Sequence, residues 1–316
     1  MSSQMHIRIP QESTAVKGYL INPVNFGPAQ IRQFMAPPVP GLETFKIFPS
    51  HSFYIEHPSG KRLVFDLGIR KDYPNYSKSI VDYLPTTKYD IQVSKIVVEI
   101  LEDHGVSPET IEAIVWSPWH WDHIGDPSSF PYRVGYPANL ISPIRESDYA
   151  NRELREIRFE TDLKIGQFPA FDYFGDGSFY LLDSPGHAIG HLCGLAGTTT
   201  DGKSFILLGG DICHHAGIFR PSQYLPVPKS ISPHPCNSQG ESPICQGTVF
   251  EELQKSRGRS SIDNLYDMTF GHDISLARNT ETWLQELDVD ERIFVIISHD
   301  STVRDGVDHF PRSLND

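Results

Sequence analysis

The residues best suited to chemistry lie in one stretch, Ser117-Pro118-Trp119-His120-Trp121-Asp122-His123. Two histidines and an aspartate within four residues supply neutral imidazoles and a carboxylate, the natural ligands of a borderline divalent ion such as zinc. The stretch follows Ile111 to Trp116, an apolar run that reads as a buried strand. Past a strand, alternate side chains point to one side, so His120 and Asp122 share a direction and His123 swings in as the chain turns. Taken alone, the stretch also fits an ordinary surface loop.

Three other strand ends carry ligand-type residues. Pro185-Gly186-His187 follows Ser178 to Leu182, Gly209-Gly210-Asp211 follows Phe205 to Leu208, and His299 follows Ile293 to Ile297. Polar clusters placed directly after short apolar strands are how an α/β sandwich builds a site. In chain order the pattern is His-x-Asp-His, Gly-His, Gly-Asp, His-Asp.

That order resembles the metallo-β-lactamase superfamily over roughly residues 40–305, and Trp121 to Asp126 is similar to its N-acyl homoserine lactonase-like branch. The resemblance implies an α/β fold, an αββα sandwich of two mixed β-sheets flanked by helices. One domain would span 1–316, with an N-terminal extension over 1–40 and a lid-like loop over 216–246. One ion would take His120, His187 and the bridging Asp211. The other would take Asp122, His123, His299 and the same Asp211. The family motif begins with a histidine where this chain has Pro118, which carries no ligand atom. The expectation is a weakened first ion or a single ion at the complete second position. Cys213, His214 and His215 follow the bridge and are the nearest spare donors. Zinc is the expected ion, and the same ligands suit iron or manganese.

The implied chemistry is hydrolysis: metal-activated hydroxide attacks a carbonyl, and Asp122 shuttles the proton to the leaving group. In lactonases of this family a tyrosine stands three residues after the bridging aspartate. Here that position is His214, expected to donate a hydrogen bond or proton at the oxyanion or leaving atom. The plain reading of His214 is a structural or lid histidine. The leading expectation is a lactonase, or a hydrolase of a related lactam, acting on a small hydrophobic molecule. An acyl thioesterase is the alternative, with Lys71, Lys78, Lys88, Arg220 and Lys229 as candidates for a basic rim. A mononuclear iron redox enzyme of the same fold is a third reading, left open by Pro118.

The positioning elements are partly readable. Phe45 to Phe48 and Ser52 to Ile55 read as strands, and Arg62 to Phe65 returns after the turn His57-Pro58-Ser59-Gly60. Tyr73 to Tyr89 reads as a surface excursion. Ile91 to His104 and Ser275 to Leu287 read as amphipathic helices. The Pro- and Ser-rich segment 216–246 reads as a lid, with Phe219, Tyr224, Leu225 and Pro226 lining a pocket or packing among themselves. Trp119 and Trp121 are either a substrate wall or packing residues. Asp66, His191 and Asp300 are candidates to orient ligands rather than to be ligands, with capping as the alternative for Asp66. Cys193 reads as a small core residue.

Composition sets the outer bounds. The chain has 316 residues, 39% hydrophobic and 21% charged, with a formal net charge of −13. That acidity argues against a nucleic-acid partner, which needs a basic face. No apolar run approaches a membrane span and no signal peptide is visible, so a cytoplasmic protein is expected. Its four cysteines form no C-x-x-C pair; Cys236 and Cys245 share a loop in which they could bridge. Oligomeric state is not encoded in any motif.

Overall fold

Leu20, Phe53, Ile55, Leu63 and Phe65 point one way from their strands, and Phe179, Leu181, Ala196, Ile206 and Leu208 point back at them. The chain thereby closes two sheets over a shared apolar layer. The structure is a computed structural model that describes residues 6–10, 13–130, 144, 153, 155–232 and 244–315.

The first sheet holds β1 (Lys17–Gly27), β2 (Phe48–Glu56), β3 (Arg62–Phe65), β4 (Asp90–Gln92) and β5 (Ala113–Val115), in the order β4-β1-β2-β3-β5. Only β3 and β5 run parallel. The second holds β6 (Lys164–Ile165), β7 (Phe168–Asp172), β8 (Phe179–Asp183), β9 (Leu192–Gly197), β10 (Phe205–Leu208) and β11 (Ile293–Ile296), in the order β11-β10-β9-β8-β7-β6. There only β10 and β11 are parallel.

Because side chains alternate along a strand, each sheet also presents an outer apolar face. Tyr19, Ile21, Val64 and Ile114 of the first sheet pack on Val97, Val98 and Leu101, from helix α2 (Val97–Glu102). Tyr180, Leu182, Leu195 and Leu207 of the second pack on Ala277, Leu284 and Leu287 of a long helix, Ile274–Asp288. The layers run helix, sheet, sheet, helix, the mixed αββα sandwich expected. Burying each large apolar side chain in these layers contributes about 1.5–3 kcal/mol. Among the described residues no helix is long and apolar enough to cross a membrane.

Several elements differ from expectation. The helix expected over 91–104 shrinks to α2, because Asp90–Gln92 adds β4 to the sheet edge against Asn25 to Gly27. Ile91 and Ile96 are five residues apart, a spacing one helix face does not hold. The Glu99 carboxylate accepts the Ile96 N–H at 2.9 Å and fixes the later start. The excursion over 73–89 contains a helix, α1 (Lys78–Thr87). Residues 1–40, expected as an extension, supply β1, the central partner of β2 and β4. In segment 216–246, Ser230–Ile231 pairs with Cys245–Gln246, and 233–243 lie outside the described residues. Cys236 is among those; Cys193, Cys213 and Cys245 are free thiols.

Candidate metal centre

Asp122 and His123 project from α3 (Trp121–Ile124), a single helical turn that starts directly after His120. The His123 and Ile124 N–H groups both donate to the His120 carbonyl, at 3.0 and 3.2 Å. This turn, rather than strand alternation, is what aims the motif. Ser50 donates to the Asp122 carbonyl at 2.6 Å, and Tyr76 to the Trp121 carbonyl at 2.7 Å, tying the turn down.

His187 follows Gly186, whose φ of 122° favours glycine. A Cβ there would lie 2.2 Å from the Ala277 nitrogen, so the loop rests directly on the long helix Ile274–Asp288. Gly209 donates to the Ile296 carbonyl at 2.7 Å, and Ser298 to the Gly210 carbonyl at 3.0 Å, which sets Asp211 beside His299.

All six expected residues converge. One ligand atom each from Asp122, His123, Asp211 and His299 lies within 4.8 Å of the others, and the same holds for His120, His187 and Asp211. His299 Nε2 stands 3.0 Å from Asp211 Oδ1, and His123 Nε2 3.1 Å from Asp211 Oδ2. His187 Nε2 is 3.2 Å from Asp211 Oδ2 and 3.0 Å from His120 Nδ1. Metal bonds of about 2.0–2.2 Å in a tetrahedron place donors roughly 3.4 Å apart, so these spacings fit an ion.

The donor chemistry fits as well. The His123 and His299 rings have Nδ1 engaged, by Asp66 Oδ2 at 2.9 Å and by the Pro49 carbonyl at 2.7 Å. Each ring thereby turns Nε2 to the cluster, where an ion would take the place of a proton on that nitrogen. Buried His123 Nε2 and Asp211 Oδ1 have no hydrogen-bond partner among the described residues. Burial disfavours charge on His123, but the carboxylates of Asp211, Asp66 and Asp122 outweigh it and hold its pKa well above the ordinary value. Burial also works against the Asp211 carboxylate, and the facing His123 and His299 hold it well below the usual range. Such a cluster of buried carboxylates calls for a compensating cation.

The two positions are unequal. The first has three protein donors and the second four, as Pro118 implies. Cys213 is buried in the core, and His215 Nδ1 accepts the Gly217 N–H, so neither joins the cluster. His214 does approach it, with Nε2 3.8 Å from Asp211 Oδ2 and its ring stacked on His299 at 5.6 Å between centroids. Burial holds its pKa well below the ordinary value, so it is neutral.

The cluster floors a cavity of about 400 Å³ lined by Phe26, Phe34, Phe45, Phe48, Trp121 and Phe270, with Tyr83, Tyr89 and Gln33 alongside. His120, Asp122, Asp211, His214 and His299 open onto it. Sequence reasoning missed most of these walls. Phe219 is core, and Tyr224, Leu225 and Pro226 are not among the lining residues. The available signal was the density of phenylalanine over 26–48. Trp121 is a wall residue, whereas Trp119 donates to the Ile189 carbonyl at 3.1 Å. Asp66 orients His123, one of the two readings its sequence position allowed. Asp300 does not orient His299: its carboxylate caps helix Ser301–Gly306, and the Pro49 carbonyl takes that role. Cys193 is buried in the core, as expected.

No family model matches the chain. It is 38% identical to the gamma-lactamase FDB1 of Fusarium pseudograminearum, over 97% of this chain and 79% of that protein. It is 36% identical to the metallo-hydrolase mfmC of Annulohypoxylon moriforme, over 89% and 78%. In fold it is similar to a solved N-acyl homoserine lactone hydrolase with the product N-hexanoyl-L-homoserine at its catalytic metal centre, with a TM-score of 0.60 at 17% identity, over 95% of this chain and 100% of that one. Likeness on that scale, across nearly the whole length of the chain, means that it belongs to the metallo-β-lactamase superfamily of hydrolases.

Proposed function

We propose that the protein is a metal-dependent hydrolase that opens a small, uncharged cyclic amide or ester. The observation that carries this reading is the cavity. Its floor is the donor cluster, its walls are aromatic, and no Lys or Arg is among its described lining residues. Aromatic faces suit a flat apolar ring. The name gamma-lactamase on a relative, and lactone hydrolase on a fold neighbour, agree with a ring opened at its carbonyl.

His120, His187 and Asp211 would hold one ion, and Asp122, His123, Asp211 and His299 the other. Zinc is the ion these nitrogen and carboxylate donors suit best, with iron and manganese next. When bound, such an ion lowers the pKa of a water and polarises a carbonyl oxygen. Asp122 faces the cavity from the ion position it would share with His123, Asp211 and His299. It takes the proton of the attacking water and returns it to the leaving nitrogen or oxygen. His214 Nδ1 is buried without an acceptor among the described residues. The favoured tautomer therefore carries its proton on Nε2, toward the cavity, where it donates to the carbonyl oxygen. The aromatic walls exclude bulk water and strengthen both contacts.

An acyl-carrier thioesterase would need cations at the mouth. Lys71, Lys78, Lys88, Arg220 and Lys229 all lie off the cavity lining. The test is formation of the ring-opened or cleaved product, followed by chromatography, by zinc-loaded protein on γ-lactams, lactones and acyl thioesters, with a chelator-stripped sample beside it. Metal-dependent turnover of a lactam or lactone is expected. Turnover of thioesters alone, or full activity after stripping, would refute the proposal.

A further inference from the structure

Behind the donor cluster lies a buried polar knot that the hydrolytic steps do not use. His191 opens the loop into β9 and is fully buried. Its Nε2 accepts the Asp211 backbone N–H at 3.0 Å. A backbone N–H only donates, so Nε2 is bare and the neutral ring carries its proton on Nδ1. That proton is offered to Ser184 Oγ at 2.8 Å and the Ser184 carbonyl at 3.1 Å. The knot spans three strand ends. Ser184 follows β8, its N–H donates back to the His191 carbonyl at 3.1 Å, and the Cys193 thiol donates to Ser184 Oγ and the Gly209 carbonyl, each at 3.3 Å. Gly210 leaves the opening: a Cβ there would lie 2.5 Å from Ser117 Oγ and 3.1 Å from His191 Nε2.

We infer that His191 is a positioning residue for the bridging carboxylate, acting through the backbone of Asp211 rather than as a ligand. The inference rests on the proposed role of Asp211. Its hydrogen bond fixes the Gly210–Asp211 peptide plane, and with it the direction in which the Asp211 side chain leaves the chain. Both ion positions share that side chain. Loss of the bond therefore disturbs both together, unlike a change at a residue that serves one ion.

The test is zinc affinity, measured by competition with a chromophoric chelator on folded protein, for wild type, His191→Met and His191→Gln. Methionine fills the space without an acceptor placed for the amide. Glutamine carries an oxygen at about the reach of Nε2. His191→Met is expected to weaken both ions by about 10-fold or more, and His191→Gln to return affinity to within about threefold of wild type. Loss of a merely structural contact would lower the melting temperature of the metal-free protein without this rescue. Wild-type affinity in His191→Met overturns the inference, as does a His191→Gln no better than His191→Met. Wild-type protein that takes up no zinc overturns the proposed function as well. Should His191→Met fail to fold, ¹⁵N-NMR of the zinc-loaded wild type decides. A proton on Nδ1 and a coupling from the Asp211 amide to Nε2 are expected; a proton on Nε2 overturns the inference.

Discussion

Asp66→Asn isolates one charge behind the metal centre. Asp66 has a φ of 60°, a left-handed conformation that asparagine tolerates as well as aspartate, so the backbone is not strained by the change. Oδ1 accepts the Ser117 N–H at 2.7 Å. Oδ2 accepts the Ser117 hydroxyl at 2.6 Å and His123 Nδ1–H at 2.9 Å. In the variant the amide oxygen must stay on the Ser117 N–H, because that group can only donate. The amide nitrogen then faces His123 Nδ1. Two donors oppose each other unless the imidazole moves its proton to Nε2, the atom that would hold the ion. A hydrogen bond to a charged group contributes about 1.5–3 kcal/mol, which corresponds to roughly 10- to 140-fold in affinity. Chelator competition should show that loss at the ion held by Asp122, His123, Asp211 and His299, with the other ion close to wild type. Unchanged affinity at that position, in protein that melts cooperatively, would refute the tautomer argument. A loss confined to the ion of His120 and His187 would also refute it.

Three further outcomes are expected. Pro118→His should supply the donor absent from the first position and tighten that ion by at least about tenfold, read as a later first step when a chelator is titrated into zinc-loaded protein. Gly186→Ala should cost about 2 kcal/mol or more, because its Cβ meets the Ala277 backbone at 2.2 Å, and should release the His187 ion first; a denaturation curve and zinc content check both parts. Burial pushes the Glu281 carboxyl up from 4.5 to about 8. Between those values the folded protein holds a proton that the unfolded chain has lost, so stability is full below about pH 4.5 and falls as pH rises to about 8. Glu281→Gln mimics the neutral acid and should remove most of that fall, leaving the variant roughly 2–5 kcal/mol more stable at pH 8.5 and near wild type at pH 5. Parallel stability curves would count against it.

The donor set was legible because ligands must be of a few residue types and must sit where strands end. His187, Asp211 and His299 announced themselves by following short apolar runs, and a missing ligand atom at Pro118 is visible without coordinates. The cavity was not legible in the same way. Phe26 and Phe48 lie in long strands, Phe45 in the two-residue strand Thr44–Phe45, and Phe34 in the connection before it. What makes them one wall is the path of that connection over the sandwich, which no local spacing encodes. Asp300 illustrates the other limit. A carboxylate next to a ligand histidine has two short-range uses, and the Thr302 and Val303 N–H groups of the following helix compete for it successfully. Ile91 to Gln92 shows tertiary pairing winning over helical tendency once β1 offers an open edge.

The cavity roof joins the sandwich through a short backbone ladder, although Met35 and Met268 are buried in the core. Met35–Ala36 pairs with Asp267–Met268 over two residues, Thr269 donates to the Phe34 carbonyl at 3.0 Å, and the Phe34 and Phe270 rings meet at 5.5 Å. The donors beneath are rooted in strands buried on both faces, such as Phe205–Leu208. Two regions so differently anchored open on different scales: amide protons around Met35 and Met268 should exchange through local opening, and those of Leu207 through global unfolding. Past Phe270, however, the His272 and Asp273 N–H groups donate to the His187 and Gly186 carbonyls at 2.9 and 2.8 Å, so a substitution on the Phe34 side reshapes which ring is admitted, whereas one beyond Phe270 also shifts a donor.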